Sequence, residues 1–340
     1  MGFSEALQQI MFAASGAAIL VVTTMEAVRT TVRVGGTGGV TARLWLRLKW
    51  SRVFRRVMQW PALRTTTGVS ALVATLLGWS FAIWLGWALI FLSTPGSVLN
   101  DTTRLPADAW ATIYYAGFAF ITLGVGDYSP GSPAFQMLSV VASINGFFII
   151  TLGITYIGPL LAAVEANRTL AKAVDALGGS GAAIVKRAWN GEDLGQLDQH
   201  LINLTPHVVG LGERYQAYPM LHCFVPEAPE VSAVRALAVL HDLTLLLRLE
   251  LAESARADLI TVQALDRALE HAVNVLAAGR RSESSGLGPP NPRAFLEGSG
   301  VPLVSSDRPG SLSPAATDTR SALVALLKQE GQDWPHGERV

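Results

Sequence analysis

Charged residues are absent from three long runs, 6–25, 65–100 and 128–164, and crowd together elsewhere. A helix rises about 1.5 Å per residue, so roughly 20 apolar residues cover a hydrocarbon core about 30 Å thick. Each run meets that length. The pattern predicts membrane-crossing helices over 10–28, 69–92 and 132–164. Segment 110–120 is equally apolar but too short to cross. Beyond 164 the pattern changes. Residues 165–177 continue the third helix, and Gly178, Gly179, Ser180 and Gly181 form a joint. Helical periodicity then covers 193–204, 231–253 and 255–279. The middle stretch is dense in leucine but carries His241, Asp242, Arg248 and Glu250, so it reads as a buried helix of a soluble domain. Residues 282–316 are rich in Ser, Gly and Pro and read as a disordered linker before a short helix over 321–330. No strand alternation is visible, so the fold class is an all-α membrane protein. Its parts are an N-terminal membrane helix (1–28), a linker (29–64), a membrane module (65–164), a helical domain (165–281) and a tail (282–340).

Charge sets the orientation. Nine positive residues and no acid fall within 29–64: Arg29, Arg33, Arg43, Arg47, Lys49, Arg52, Arg55, Arg56 and Arg64. By the positive-inside rule this linker is cytoplasmic. Its glycines, Gly35, Gly36, Gly38 and Gly39, form a flexible joint, not a dinucleotide fingerprint, because no βαβ unit surrounds them. Residues 44–60 interleave tryptophan with arginine. They read as an interfacial helix, with Trp45, Trp50 and Trp60 at headgroup level and Arg43 and Arg47 on anionic lipid phosphates; a soluble helix packed on the cytoplasmic domain is the alternative. The N-terminal run has no basic residue ahead of it, which favours a membrane span over a signal peptide, with an interfacial helix as the other option. Net charge is zero, so bulk electrostatics points to no nucleic-acid partner. One cysteine, Cys223, excludes an intrachain disulfide. His200, His207, His222 and Cys223 match no zinc spacing and read as ordinary core or surface residues. Tyr215, Tyr218, Pro219 and Phe224 read as an aromatic turn. No nucleophile–base arrangement appears, so an enzyme is not expected.

The most specific motif follows the short apolar segment: Thr122, Leu123, Gly124, Val125, Gly126 and Asp127. It resembles the selectivity filter of tetrameric potassium channels, usually T-V-G-Y-G-D, with Val125 in place of the aromatic. The resemblance covers about 64–164, the two-transmembrane pore module. It implies an outer helix, a re-entrant pore helix with its filter, and an inner helix. Backbone carbonyls of residues 122–125 and the Thr122 hydroxyl would replace the water shell of K+, the permeant ion; no other cofactor is implied. Carbonyls that all face one axis need alternate residues at unusual dihedrals, which Gly124 and Gly126 reach without a Cβ penalty. Asp127 would sit at the outer mouth. Tyr114 and Tyr115 fall where the family has an aromatic pair supporting the filter, and Phe118 stands where some members have a buried glutamate. Gly146 occupies the usual hinge position of the inner helix. Gly153, Gly158 and Pro159 place a gate between 153 and 163, with close helix packing as the alternative role of each glycine. Ile150, Ile154 and Ile157 share a helical spacing that suits a cavity lining.

One filter encloses nothing, so the resemblance implies a homotetramer in the plasma membrane. The filter then faces outward, the linker and helical domain lie inside, and the N-terminus is extracytoplasmic. Neither the Rossmann-type nor the cyclic-nucleotide domain common in such channels is visible, so an unknown cytoplasmic ligand is possible. Two other functions stay open: a weakly selective cation channel, since valine braces a filter less than tyrosine, and a membrane-anchored adaptor or sensor.

Overall fold

The computed structural model describes residues 3–32, 61–252, 257–278, 291–304 and 313–335. Arg43, Trp45, Arg47, Trp50 and Trp60 lie outside the described residues. The chain forms two compact units. One contains residues 3–32 and 68–160; the other contains 61–67 and the described residues from 161 onward.

The first unit is built from α1 (Phe3–Val32), α2 (Pro61–Leu92) from Gly68 onward, α3 (Ala109–Phe120) and the first part of α4 (Pro133–Leu177). Among the described residues α1, α2 and α4 are long and apolar enough to cross a membrane. Ile10 and Val22 of α1, Leu77 and Phe81 of α2, and Ile144 and Phe147 of α4 are all exposed. Water would penalise such faces; a bilayer suits them. Helix α1 is longer than the pattern predicts at both ends and α2 at its N-terminal end, while α4 ends at Leu177 as the pattern predicts. In α1 the extra turn includes Glu5, whose charge favours a helix N-terminus.

A short hairpin corrects the all-α expectation. Strand β1 (Val98–Asn100) pairs antiparallel with β2 (Tyr128–Pro130), placing Val98 opposite Pro130 and Asn100 opposite Tyr128. Three residues are too few for an alternation signal. The ladder closes the base of the excursion 101–127, so the chain enters and leaves it at one place. Asp101 N–H adds a bond to the Asp127 carbonyl at 3.0 Å.

The second unit packs the end of α4 with α5 (Gly181–Ala188), α6 (Leu197–Ala217), α7 (Ala233–Leu245), α8 (Leu259–Ala277) and α9 (Pro314–Gln329). Helix α7 is buried along its whole length. Leu170 and Val174 of α4, Leu201 and Leu211 of α6, Leu237 and Leu243 of α7 and Leu269 of α8 share one core. Gly181 is not a joint: a Cβ there would come within 2.6 Å of the Leu243 backbone nitrogen, so it lets α5 press on α7.

Several boundaries differ from the pattern, among them the start of α9 at Pro314 instead of 321, and three have a visible cause. Helix α6 continues through Pro206, because Pro206 and Ile202 are both on the exposed side, where the carbonyl that loses its N–H partner meets solvent. Helix α7 ends early in a turn of π-helix, Leu246–Glu250. Residues 291–304, assigned to the linker by composition, are ordered. Arg293 pairs with the buried Glu250 at 2.5 Å and donates to the Val304 carbonyl at 2.7 Å, while Leu296 and Val301 enter the core.

Candidate functional site

The excursion between β1 and β2 begins with a firm helix start. The Asp108 carboxylate accepts from Ala111 N–H at 2.8 Å, capping α3. Twelve residues make α3 about 18 Å long, short of a bilayer core. Such a helix survives at membrane depth only when other protein encloses it. Here α2 and α4 cover part of it, while Trp110 and Tyr114 stay exposed. Trp84 Nε1 donates to the Ile113 carbonyl at 3.1 Å, and Gly117 leaves room for the indole. On the α4 side, Tyr115 Oη and Ser139 Oγ are 2.5 Å apart, and Ser143 Oγ donates to the Ala119 carbonyl at 2.8 Å. Gly146 lies against the Phe120 carbonyl, where a Cβ would collide with backbone.

Residues 121–127 leave the end of α3 along a regular path. Leu123 N–H reaches back to the Phe118 carbonyl at 2.9 Å. Thr122, Gly124 and Gly126 then take φ of 57°, 64° and 88°. Every second residue is therefore left-handed. The sequence points to this conformation for the two glycines; it does not reveal it for Thr122, since a β-branched residue rarely goes there. The Thr122 hydroxyl donates to the Ile121 carbonyl at 2.7 Å. All six residues from Thr122 to Asp127 are exposed on the single chain, Val125 to 47%.

The aromatic pair divides. Tyr115 is buried, meeting Phe91 edge-on at 5.2 Å and Phe118 at 4.9 Å. Tyr114 is partly exposed and stands 5.4 Å from Phe118 and 6.1 Å from Tyr128. Helix α4 runs unbroken through Gly146, Gly153, Gly158 and Pro159. Packing accounts for Gly146, and Gly153 faces Leu76; Gly158 borders open space. Ile150 and Ile154 are exposed, while Ile157 is half-buried, which sets the phase that the sequence leaves open.

A polar cluster in the second unit is a separate candidate. Asp242 pairs with Arg320 at 2.5 Å and accepts from Trp334 Nε1 at 2.7 Å, and Arg320 stacks over the Trp334 ring at 4.7 Å. Burial pushes the Asp242 carboxyl up to about 6, against the pull of Arg320. Burial, aided by Arg320, pushes the neighbouring His241 down to about 4. Asp242, Arg320 and Trp334 are all buried and partner one another, so the cluster ties α9 and the tail to α7. His200 and His207 lie exposed on α6, the His222 ring meets Tyr215 at a tilt with centroids 4.8 Å apart, and Cys223 is buried. Among the described residues no three His, Cys, Asp or Glu side chains stand together as metal ligands would.

The chain is 25% identical over 273 residues to YdjJ, an uncharacterized membrane protein of Bacillus subtilis (strain 168), covering 80% of each protein. With three apolar helices of spanning length, this places the chain in a class. It is a helical membrane protein. The match is much longer than 65–164, so the likeness takes in much of the second unit too. No protein-family model matches the chain, and no solved structure matches it.

Proposed function

We propose that this membrane protein is the subunit of a homotetrameric, potassium-selective channel, with residues 122–127 as its filter. The observation that carries the reading is the alternation of left-handed residues at 122, 124 and 126, set at the end of a helix too short to span and held between two helices that do. Alternation turns successive carbonyls to one side, and four copies would surround an axis with oxygens that replace a cation's hydration. In this reading α3 is the pore helix, its C-terminal dipole directed at the ion, α2 is the outer helix and α4 the inner helix. Tyr114, Tyr115 and Phe118 support the filter, Asp127 lies at the outer mouth, and the gate lies between 153 and 163, moved by the helical domain. The protein sits in the plasma membrane with the basic linker and the second unit inside and the N-terminus outside.

One observation favours a second reading. Val125 is half exposed where an aromatic would brace the filter, which fits a weakly selective pore. Cation binding separates the two. A ligand that binds only the assembled tetramer raises its melting temperature. Potassium is expected to raise it well above the value in N-methylglucamine, and sodium is expected not to. Equal stabilisation by sodium would favour the weakly selective pore; none by either ion would refute a cation filter.

A further inference from the structure

Helix α1 lies outside the two-helix module that the motif implies, yet it is docked on that module inside the membrane. Gly16 and Gly86 cross closely: a Cβ on Gly16 would come within 2.6 Å of the Gly86 carbonyl oxygen, and one on Gly86 within 2.8 Å of Leu20. Small residues let membrane helices approach in this manner. A polar contact follows two turns further on. Asn145 of α4 accepts from Trp87 Nε1 at 3.3 Å and donates from its amide nitrogen to Thr24 Oγ1 of α1 at 3.4 Å. An indole N–H can only donate, so it fixes the amide oxygen on its side and leaves the amide NH2 facing Thr24. A primary amide at membrane depth is costly without partners, and here its partners come from two other helices.

The position of Asn145 gives this contact its meaning. The same turn of α4 carries Ser143, bonded to the Ala119 carbonyl, and Gly146, packed on the Phe120 carbonyl. These are the last residues of α3 before 121–127. One turn of α4 thus rests on the end of α3 with one face and is held by α1 and α2 through the next residue.

We propose that α1 is a working part of the pore: Thr24, acting through Asn145, is a positioning residue that sets the inner helix against the base of the filter. The inference rests on the channel reading above, but its test has a readout that does not. The full-length protein in liposomes is compared with Thr24→Val, which keeps the shape and removes the hydroxyl, and with Thr24→Ser, which keeps the hydroxyl. Thr24→Val is expected to change potassium flux by about threefold, the usual worth of one hydrogen bond between membrane helices, and Thr24→Ser to restore the native value. Asn145→Leu should act in the same way, and the double variant should do no more than Asn145→Leu alone. In parallel, the Trp87 indole N–H resonance, identified by its loss in Trp87→Phe, should shift in Thr24→Val because Asn145 is no longer held. The proposal fails if Thr24→Val leaves both flux and resonance unchanged, or if the Thr24 and Asn145 effects multiply. A native protein that passes no potassium would refute the channel reading instead, and the indole resonance would still decide whether Thr24 holds Asn145.

Discussion

Gly146→Ala is expected to abolish potassium flux and to lower the stability of the first unit. The added methyl would overlap the Phe120 carbonyl oxygen and press on the Phe120 ring. A side chain can swing aside; a carbonyl at the end of a packed helix can move only with its helix. So α3 and α4 must part, and Ser143 must lose its bond to the Ala119 carbonyl. Overpacking of this kind costs about 1–3 kcal/mol, and the whole displacement falls on the residues that lead into 121–127. Two other glycines of α4 serve as controls. At Gly153 the obstacle is the tip of the Leu76 side chain, so alanine should cost less; at Gly158 nothing stands in the way. The expected order of damage is Gly146, then Gly153, then Gly158, read by flux and by thermal melting. A glycine needed only as a hinge would give altered gating with normal stability. Native flux and native melting in Gly146→Ala would refute the packing account.

The second large effect belongs to the helical unit. Arg320→Ala is expected to release α9 and destabilise that unit by about 3–5 kcal/mol, because it leaves the Asp242 carboxylate buried without its counter-charge. It also strips Trp334 of its stacked guanidinium. Replacing Asp242 and Arg320 together by apolar residues of similar size should recover much of the loss, since no buried charge is then stranded. The sign of the pH dependence follows from Asp242. Its carboxyl is already raised to about 6 with Arg320 present, and loss of that cation raises it further. A group whose pKa is raised by folding contributes stability at low pH and loses it as pH rises through the folded value. The deficit of Arg320→Ala should therefore shrink as pH falls from 7 to 5. A deficit that grows on acidification would mean that Asp242 does not carry the penalty. Protease cleavage ahead of α9 and thermal melting both report it.

The membrane helices were legible because a bilayer allows no isolated charge to hide: runs 65–100 and 128–164 announce α2 and α4 by charge alone. Gly124 and Gly126 were legible because few conformations demand glycine at every second position. Other features depend on contacts distant in sequence and leave little local trace. The β1–β2 hairpin is three residues deep and is set by the closure of the excursion. Thr122 is held left-handed against its own preference, with its neighbour Leu123 tied back to Phe118. The periodicity stops α6 at 204, yet Pro206 faces solvent, where a proline is tolerable, and the helix runs on to Ala217. Residues 291–304 have a linker's composition, and only Arg293, Leu296 and Val301, seen beside Glu250 and the core, show why they are ordered. The docking of α1 through Thr24 and Asn145 joins residues 121 apart in the chain, and no periodicity records such a pair.

The central claim is that four copies of residues 122–127 pass potassium and reject sodium. Reconstitution into planar bilayers or liposomes, with potassium on one side and sodium on the other, tests it by the reversal potential. The account predicts a reversal close to the potassium equilibrium potential. A current reversing near zero would contradict potassium selectivity and direct attention to Val125, where Val125→Tyr should then restore it.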